Sequence, residues 1–186
     1  GSATFRMAKD LTSAPAQTLT INGSLTQTSG TFAAKDVVIG SGASYNSSGS
    51  TSNITGNLTN SGTLAIGGTS TNIGGGFTNS GTATLNSGPV NIAGSITNNA
   101  SGDITIAGAD VTSQNDATNF GIMSVSSGSL DLATAGKKLI IDGSTATRGI
   151  FNQYAGSIVK TDNLELKNNG TYNQFGGEVQ IAHDLK

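Results

Sequence analysis

The chain has 186 residues, a net charge of −2, no cysteine, and only 11% charged residues, against roughly 25% in an ordinary domain. That excludes disulfide staples and thiol chemistry, and the scattered Lys and Arg form no basic stripe of the kind that neutralises phosphates in a nucleic-acid site. No apolar run approaches the ~20 residues of a helical membrane span.

Gly, Ser, Thr and Asn supply half of all residues, and no charged residue lies between Asp36 and Asp103. Disordered chains usually carry charge in place of hydrophobicity. This chain lacks charge yet keeps evenly spaced Leu, Ile, Val and Phe, so its polar residues must be accommodated inside a regular fold.

Residues 1–17 read as an N-terminal lead-in. Gly1-Ser2 has the look of a cloning scar, so an export signal could have been cut away. Ala8-Lys9-Asp10-Leu11 is too short for a capping helix. From residue 18 to 186 the chain reads as one repetitive domain, a fragment of a longer rod.

The repeat has three parts. Small-Gly-x-Φ-x-Φ, with Φ apolar, recurs at Ser61–Ile66, Ser80–Leu85, Ser101–Ile106, Ser127–Leu132 and Gly176–Ile181, with looser copies at Ser29–Phe32 and Ala155–Ile158. Apolar-Thr-amide triplets stand at Leu25-Thr26-Gln27, Leu58-Thr59-Asn60, Phe77-Thr78-Asn79 and Ile96-Thr97-Asn98. An isoleucine precedes each by four positions, at Ile21, Ile54, Ile73 and Ile92. Around residues 40–53 and 107–126 the pattern breaks, which reads as insertions or a compressed turn.

Period-2 apolar alternation over three to five residues means short strands, and strands this short do not make a stable separate sheet. A repeat of about 19–21 residues fits one turn of a three-sided coil. Stacking turns at ~4.8 Å pairs each strand with its counterpart one turn on and sets each inward Φ on the next. The expected fold is therefore all-β, a parallel β-helix (solenoid). Hairpin sandwiches also show frequent short strands, but do not require the same residue types to return at a fixed interval.

Among candidate sites, Asn60, Asn79 and Asn98 should stack into a structural amide ladder. Phe151 over Tyr172 and Tyr154 over Phe175 should form two aromatic stacks. Only one residue of each alternating pair points inward, so the other stack could be a binding platform. Thr-x-Thr pairs at Thr18/Thr20, Thr26/Thr28, Thr82/Thr84 and Thr145/Thr147 do not recur at one position in the repeat, and reflect strand propensity rather than an ice-binding array. Asn-x-Ser/Thr sequons stand at Asn22, Asn46, Asn53, Asn57, Asn99 and Asn169; so much Asn, Ser and Thr produces most of them by chance, and glycosylation stays open. Gly74-Gly75-Gly76 lacks the aspartate of a calcium-binding nonapeptide. Paired carboxylates, the minimum for glycoside hydrolysis, are not evident. Asp103 and Asp131 share an outward position on different turns without a basic partner, Arg6 and Arg148 are the only arginines, and His183 is the only histidine. The charges of the last fifty residues read as a solvated face. No catalytic residue, metal site or cofactor is expected.

The motifs from Leu58 to Ile66 and from Phe77 to Leu85 resemble the passenger domains of type V secreted bacterial proteins: autotransporters, including vacuolating-cytotoxin-like proteins, and two-partner filamentous-haemagglutinin-type adhesins. The resemblance covers roughly residues 18–183 and is one of repeat style. It implies a right-handed parallel β-helix exported through an outer-membrane β-barrel, located at the cell surface or outside the cell, where it holds adhesive or toxic parts away from the cell and meets a protein or glycan on a host or neighbouring cell. The expectation is thus a non-enzymatic stalk segment whose isolated form is either frayed at its ends or associates end to end, weakly and with concentration. The alternative is a carbohydrate-binding or carbohydrate-active β-helix, which an aromatic or acidic cluster on one exposed face would favour.

Overall fold

A computed structural model describes residues 3–7, 9–13, 17–132, 134–143 and 149–186. Gly1-Ser2, Ala8, Arg148 and the Thr145/Thr147 pair lie outside the described residues.

The described chain is a parallel β-solenoid of about 9 turns, without a helix. Each turn lays one strand on each of three sheets. The first sheet starts at Thr4–Met7 and climbs through Ser24–Gln27, Ser44–Ser48, Thr63–Gly67 and Thr82–Leu85. The second runs from Leu11–Thr12 through Thr31–Ala34, Thr51–Ile54, Ser70–Ile73 and Pro89–Ile92. The third runs from Thr18–Ile21 through Asp36–Ile39, Leu58–Asn60, Phe77–Asn79 and Ile96–Asn98 to Ala117–Asn119. Higher up, the strands Asp103–Ser113, Ile122–Leu132 and Ser157–Lys167 bend round a corner and each serves two sheets. Pairing thus begins at Thr4, upstream of residue 18.

Alternation decides what lies inside. In Phe77–Asn79 the outer two residues are buried and Thr78 is half-buried outside, and the same pattern repeats in the strands stacked above and below it. Apolar columns result: Leu58, Phe77, Ile96 and Ala117 on the third sheet, Ile54, Ile73 and Ile92 on the second, and Leu64, Ala83, Ile104 and Met123 on the first. All are essentially inaccessible to water and belong to one continuous core. At roughly 25 cal/mol per Å² of apolar surface, this stack is the main source of stability. The turn corners are tight. At Gly81 an added Cβ would lie 2.1 Å from the carbonyl oxygen of Gly62 one turn below.

The repeat of the sequence is distributed differently from its linear reading. Leu25-Thr26-Gln27 sits on the first sheet, whereas the three Asn-ended triplets sit on the third. Small-Gly-x-Φ-x-Φ lies on the first sheet at Thr63, Thr82 and Asp103, and on the second at Ser129, Ser157 and Glu178. Ile21 stacks on Ile39 rather than on Ile54.

The expected break at 40–53 is corrected, since that stretch stacks in register, whereas in 107–126 the pairing does shift register, between Ile106 and Ala107 and again between Ala107 and Asp110. In the first, Ser47, Ser50 and Ser52 occupy core positions, so the apolar signal vanishes while the geometry persists. In the second, eleven-residue strands replace the usual Gly/Ser corner, bending at Gly108 (φ 125) and Gly128 (φ 79). The real widening lies between Val125 and Gln153, which are register partners one turn apart.

Candidate functional site

The expected inner ladder is present and one residue longer. Asn60, Asn79, Asn98 and Asn119 are 0% exposed. Each amide donates to the side-chain oxygen of the next, at 2.8, 2.9 and 2.8 Å in turn. Asn119 closes the series on the carbonyl oxygen of Ile150 at 2.8 Å. The same nitrogens also donate to main-chain oxygens: Asn60 to Thr82, Asn79 to Gly81, and Asn98 to Gly102 and Ile122. Fully buried and bonded from turn to turn, this ladder has no face to offer a ligand. Asn119 follows Ala117-Thr118, a triplet whose small first residue hid it from the apolar pattern.

A second ladder, missed by sequence reasoning, runs along the outside of the second sheet. Asn72 Nδ2 donates to Asn53 Oδ1 and Asn91 Nδ2 to Asn72 Oδ1, each at 3.0 Å, and Thr112 Oγ1 donates to Asn91 Oδ1 at 2.9 Å. Its signal was an asparagine directly before Ile54, Ile73 and Ile92, returning with the isoleucines. Beside it, where the second sheet turns into the third, lies a groove of about 280 Å³ walled by Asn72, Asn91 and Thr112.

Both aromatic stacks form. Phe151 and Tyr172 lie 5.0 Å apart with planes 15° from parallel, and Tyr154 and Phe175 lie 5.2 Å apart at 24°. The first faces inward: Phe151 is fully buried, and the Tyr172 hydroxyl donates to Gln153 Oε1 at 2.5 Å. Burial pushes the Tyr172 hydroxyl up to about 12. The second is outside, with Tyr154 40% and Phe175 64% exposed. Each ring of this pair covers one face of the other.

The acidic residues are less isolated than their spacing in the chain implies. Asp10, Asp36, Asn57 and Asp116 each accept the backbone N–H of a residue one turn on: Thr31, Asn57, Gly76 and Lys138. Asp131, expected to lack a basic partner, lies 3.7 Å from Lys160 Nζ. Nor is the end of the chain simply a solvated face. Glu165 is buried between Lys138 Nζ at 2.6 Å and Lys167 Nζ at 2.9 Å, and their hydrogen bonds hold its carboxyl down to about 2. Asp162 is buried too. The backbone N–H of Gly136, and after it His183 and Asn163, hold its carboxyl below the ordinary value. Asp103, by contrast, shares no site with Asp131; the first sheet carries one and the second the other.

Among the described residues no group of three His, Cys, Asp or Glu gathers in a way that could hold a metal ion. Comparison with protein-family models, with curated proteins and with solved structures finds no significant match.

Proposed function

We infer that the chain is a non-enzymatic stalk segment of a large exported bacterial surface protein, of the type V secreted kind, passing through an outer-membrane β-barrel and working outside the cell as a spacer and contact surface. The observation that carries this reading is the parallel stack of about 9 turns, whose middle, between Asp36 and Asp103, presents a flank rich in Ser, Thr and Asn without a single charge. A rod needs regular stacking and a soluble flank. Several of its carboxylates serve corners and ion pairs, and the work proposed for the flank is contact with a protein or glycan of another cell.

The test is location. Intact cells carrying the parent protein should be labelled by antibody raised against this chain, and external protease should remove the epitope. An epitope protected in intact cells and released only by lysis would overturn the reading.

A further inference from the structure

The outer amide ladder has unused hydrogen-bonding capacity, and the groove beside it gives that capacity a shape. A primary amide offers two N–H donors and two carbonyl lone pairs. In the ladder Asn72 and Asn91 each spend one of either kind on their neighbours along the coil. Each keeps one donor and one acceptor, repeated at the ~4.8 Å spacing of the turns. The floor beside them is bare. Gly74 can carry no side chain, since a Cβ there would sit 2.3 Å from the carbonyl oxygen of Thr55. Ala93 continues the floor one turn on, and Gln114 closes its upper end.

We propose that this groove binds a neutral, linear polysaccharide lying along the coil axis. The wall matches its hydroxyls and the apolar floor matches the C–H faces of its rings. The repeat matches too: one hexose residue in an extended glycan advances about as far as one turn of the coil, whereas an extended peptide advances ~3.4 Å per residue and falls out of step. Charge selects among glycans. The groove's lining carries no charged side chain, so a uronate or sulfate would lose hydration with no cation to replace it. Tyr154 and Phe175 lie at a different corner and take no part. This reading gives the contact role inferred above a ligand class and rests on it. Binding is measured on the purified chain and location on cells, so either can fail alone.

The experiment is calorimetric titration of the chain with a panel of neutral linear hexose and N-acetylhexosamine oligosaccharides of increasing length, and with uronate oligosaccharides as the charged arm. Affinity should rise with length until the glycan spans the turns of Asn72, Asn91 and Thr112, and uronates should bind more weakly. The double variant Asn72→Ala, Asn91→Ala should bind roughly tenfold more weakly, the effect of two lost hydrogen bonds, with an unchanged circular dichroism spectrum. Tyr154→Ala should bind as the parent does. Absence of binding across the neutral panel, preference for uronates, or loss on Tyr154→Ala but not on the double variant would each overturn the proposal.

Discussion

Asn98 donates its side-chain amide to Asn119 Oδ1 at 2.8 Å across one turn of the coil, and to the main-chain oxygens of Gly102 and Ile122 from the same nitrogen. One buried nitrogen thus ties together a strand, its own corner and the turn above. The exposed pair Asn91 and Asn72 makes the same amide-to-amide bond at 3.0 Å. Chemistry is held constant between the two ladders and burial differs.

Replacing one member of each separates those factors. Asn98→Ala leaves buried acceptors without a donor and should cost about 3 kcal/mol, since an orphaned buried polar group loses its hydration without return. Asn72→Ala leaves groups that water can reach and should cost less than about 1 kcal/mol. Urea denaturation of the two variants measures the difference, and equal losses would mean that burial does not set the strength of the ladder.

Thr71 presents the opposite case. It is 1% exposed, and its hydroxyl oxygen has no hydrogen-bond partner. Ser52 lies below it and Val90 above. Thr71→Val keeps the branched shape and removes the unpaired group, and should raise stability by about 1 kcal/mol. A lower denaturation midpoint would show that the hydroxyl is satisfied after all.

Acid should loosen the top of the coil. The Glu165 carboxyl is held at about 2 in the fold, against an ordinary value of 4.5. The stabilisation from its ionised form is complete above pH 4.5 and is lost as the pH falls toward 2. Asp162 shifts in the same direction. Melting curves of the chain and of Glu165→Gln should therefore be separated by a constant interval from pH 7 to pH 5 and converge below it. An interval that persists undiminished at pH 2 would show that the ionised carboxylate is not what the fold uses.

The ends of the described coil bear on assembly. Phe5 is 57% exposed at one end, and Phe175 and Leu185 are 64% and 67% exposed at the other. Strand edges left open in this way template further pairing. The chain should therefore associate end to end as its concentration rises, and Phe5→Lys should weaken that association. Sedimentation over a wide concentration range measures it, and a particle of constant monomer mass throughout would count against it.

Much of this architecture is legible in the sequence. The returning isoleucines and the Asn-ended triplets report a coil because each must meet its own kind one turn later, and Asn60, Asn79 and Asn98 do. What stayed hidden shares a cause: linear spacing does not say which sheet a strand joins. Leu25-Thr26-Gln27 matches the triplets of the third sheet in composition yet lies on the first. The serines at 47, 50 and 52 erased the apolar signal because their hydroxyls, with that of Tyr45, satisfy one another inside the core, at 2.6 Å between Ser47 and Ser50 and 3.2 Å between Tyr45 and Ser52. The outer ladder escaped notice because outward positions are free to vary, and a run of asparagines there is visible only when the turns are aligned. The partners of Glu165 and Asp162 are brought in from other turns, which no local window contains.

The direction of the inter-turn hydrogen bonds sets how the coil responds to force. From Leu58 through Phe77 to Ile96 successive turns are held by ladders whose bonds point along the axis. Tension applied at the two ends pulls on those bonds in line and opens them a turn at a time, rather than shearing many together. The 19-residue turn that carries Phe77 to Ile96, drawn straight, would lengthen the chain by roughly 60 Å beyond its ~4.8 Å share of the coil. A stretched molecule would yield turn by turn, with a longer step at the widened turn between Val125 and Gln153, and the buried amides from Asn60 to Asn119 would make the middle turns the last to give.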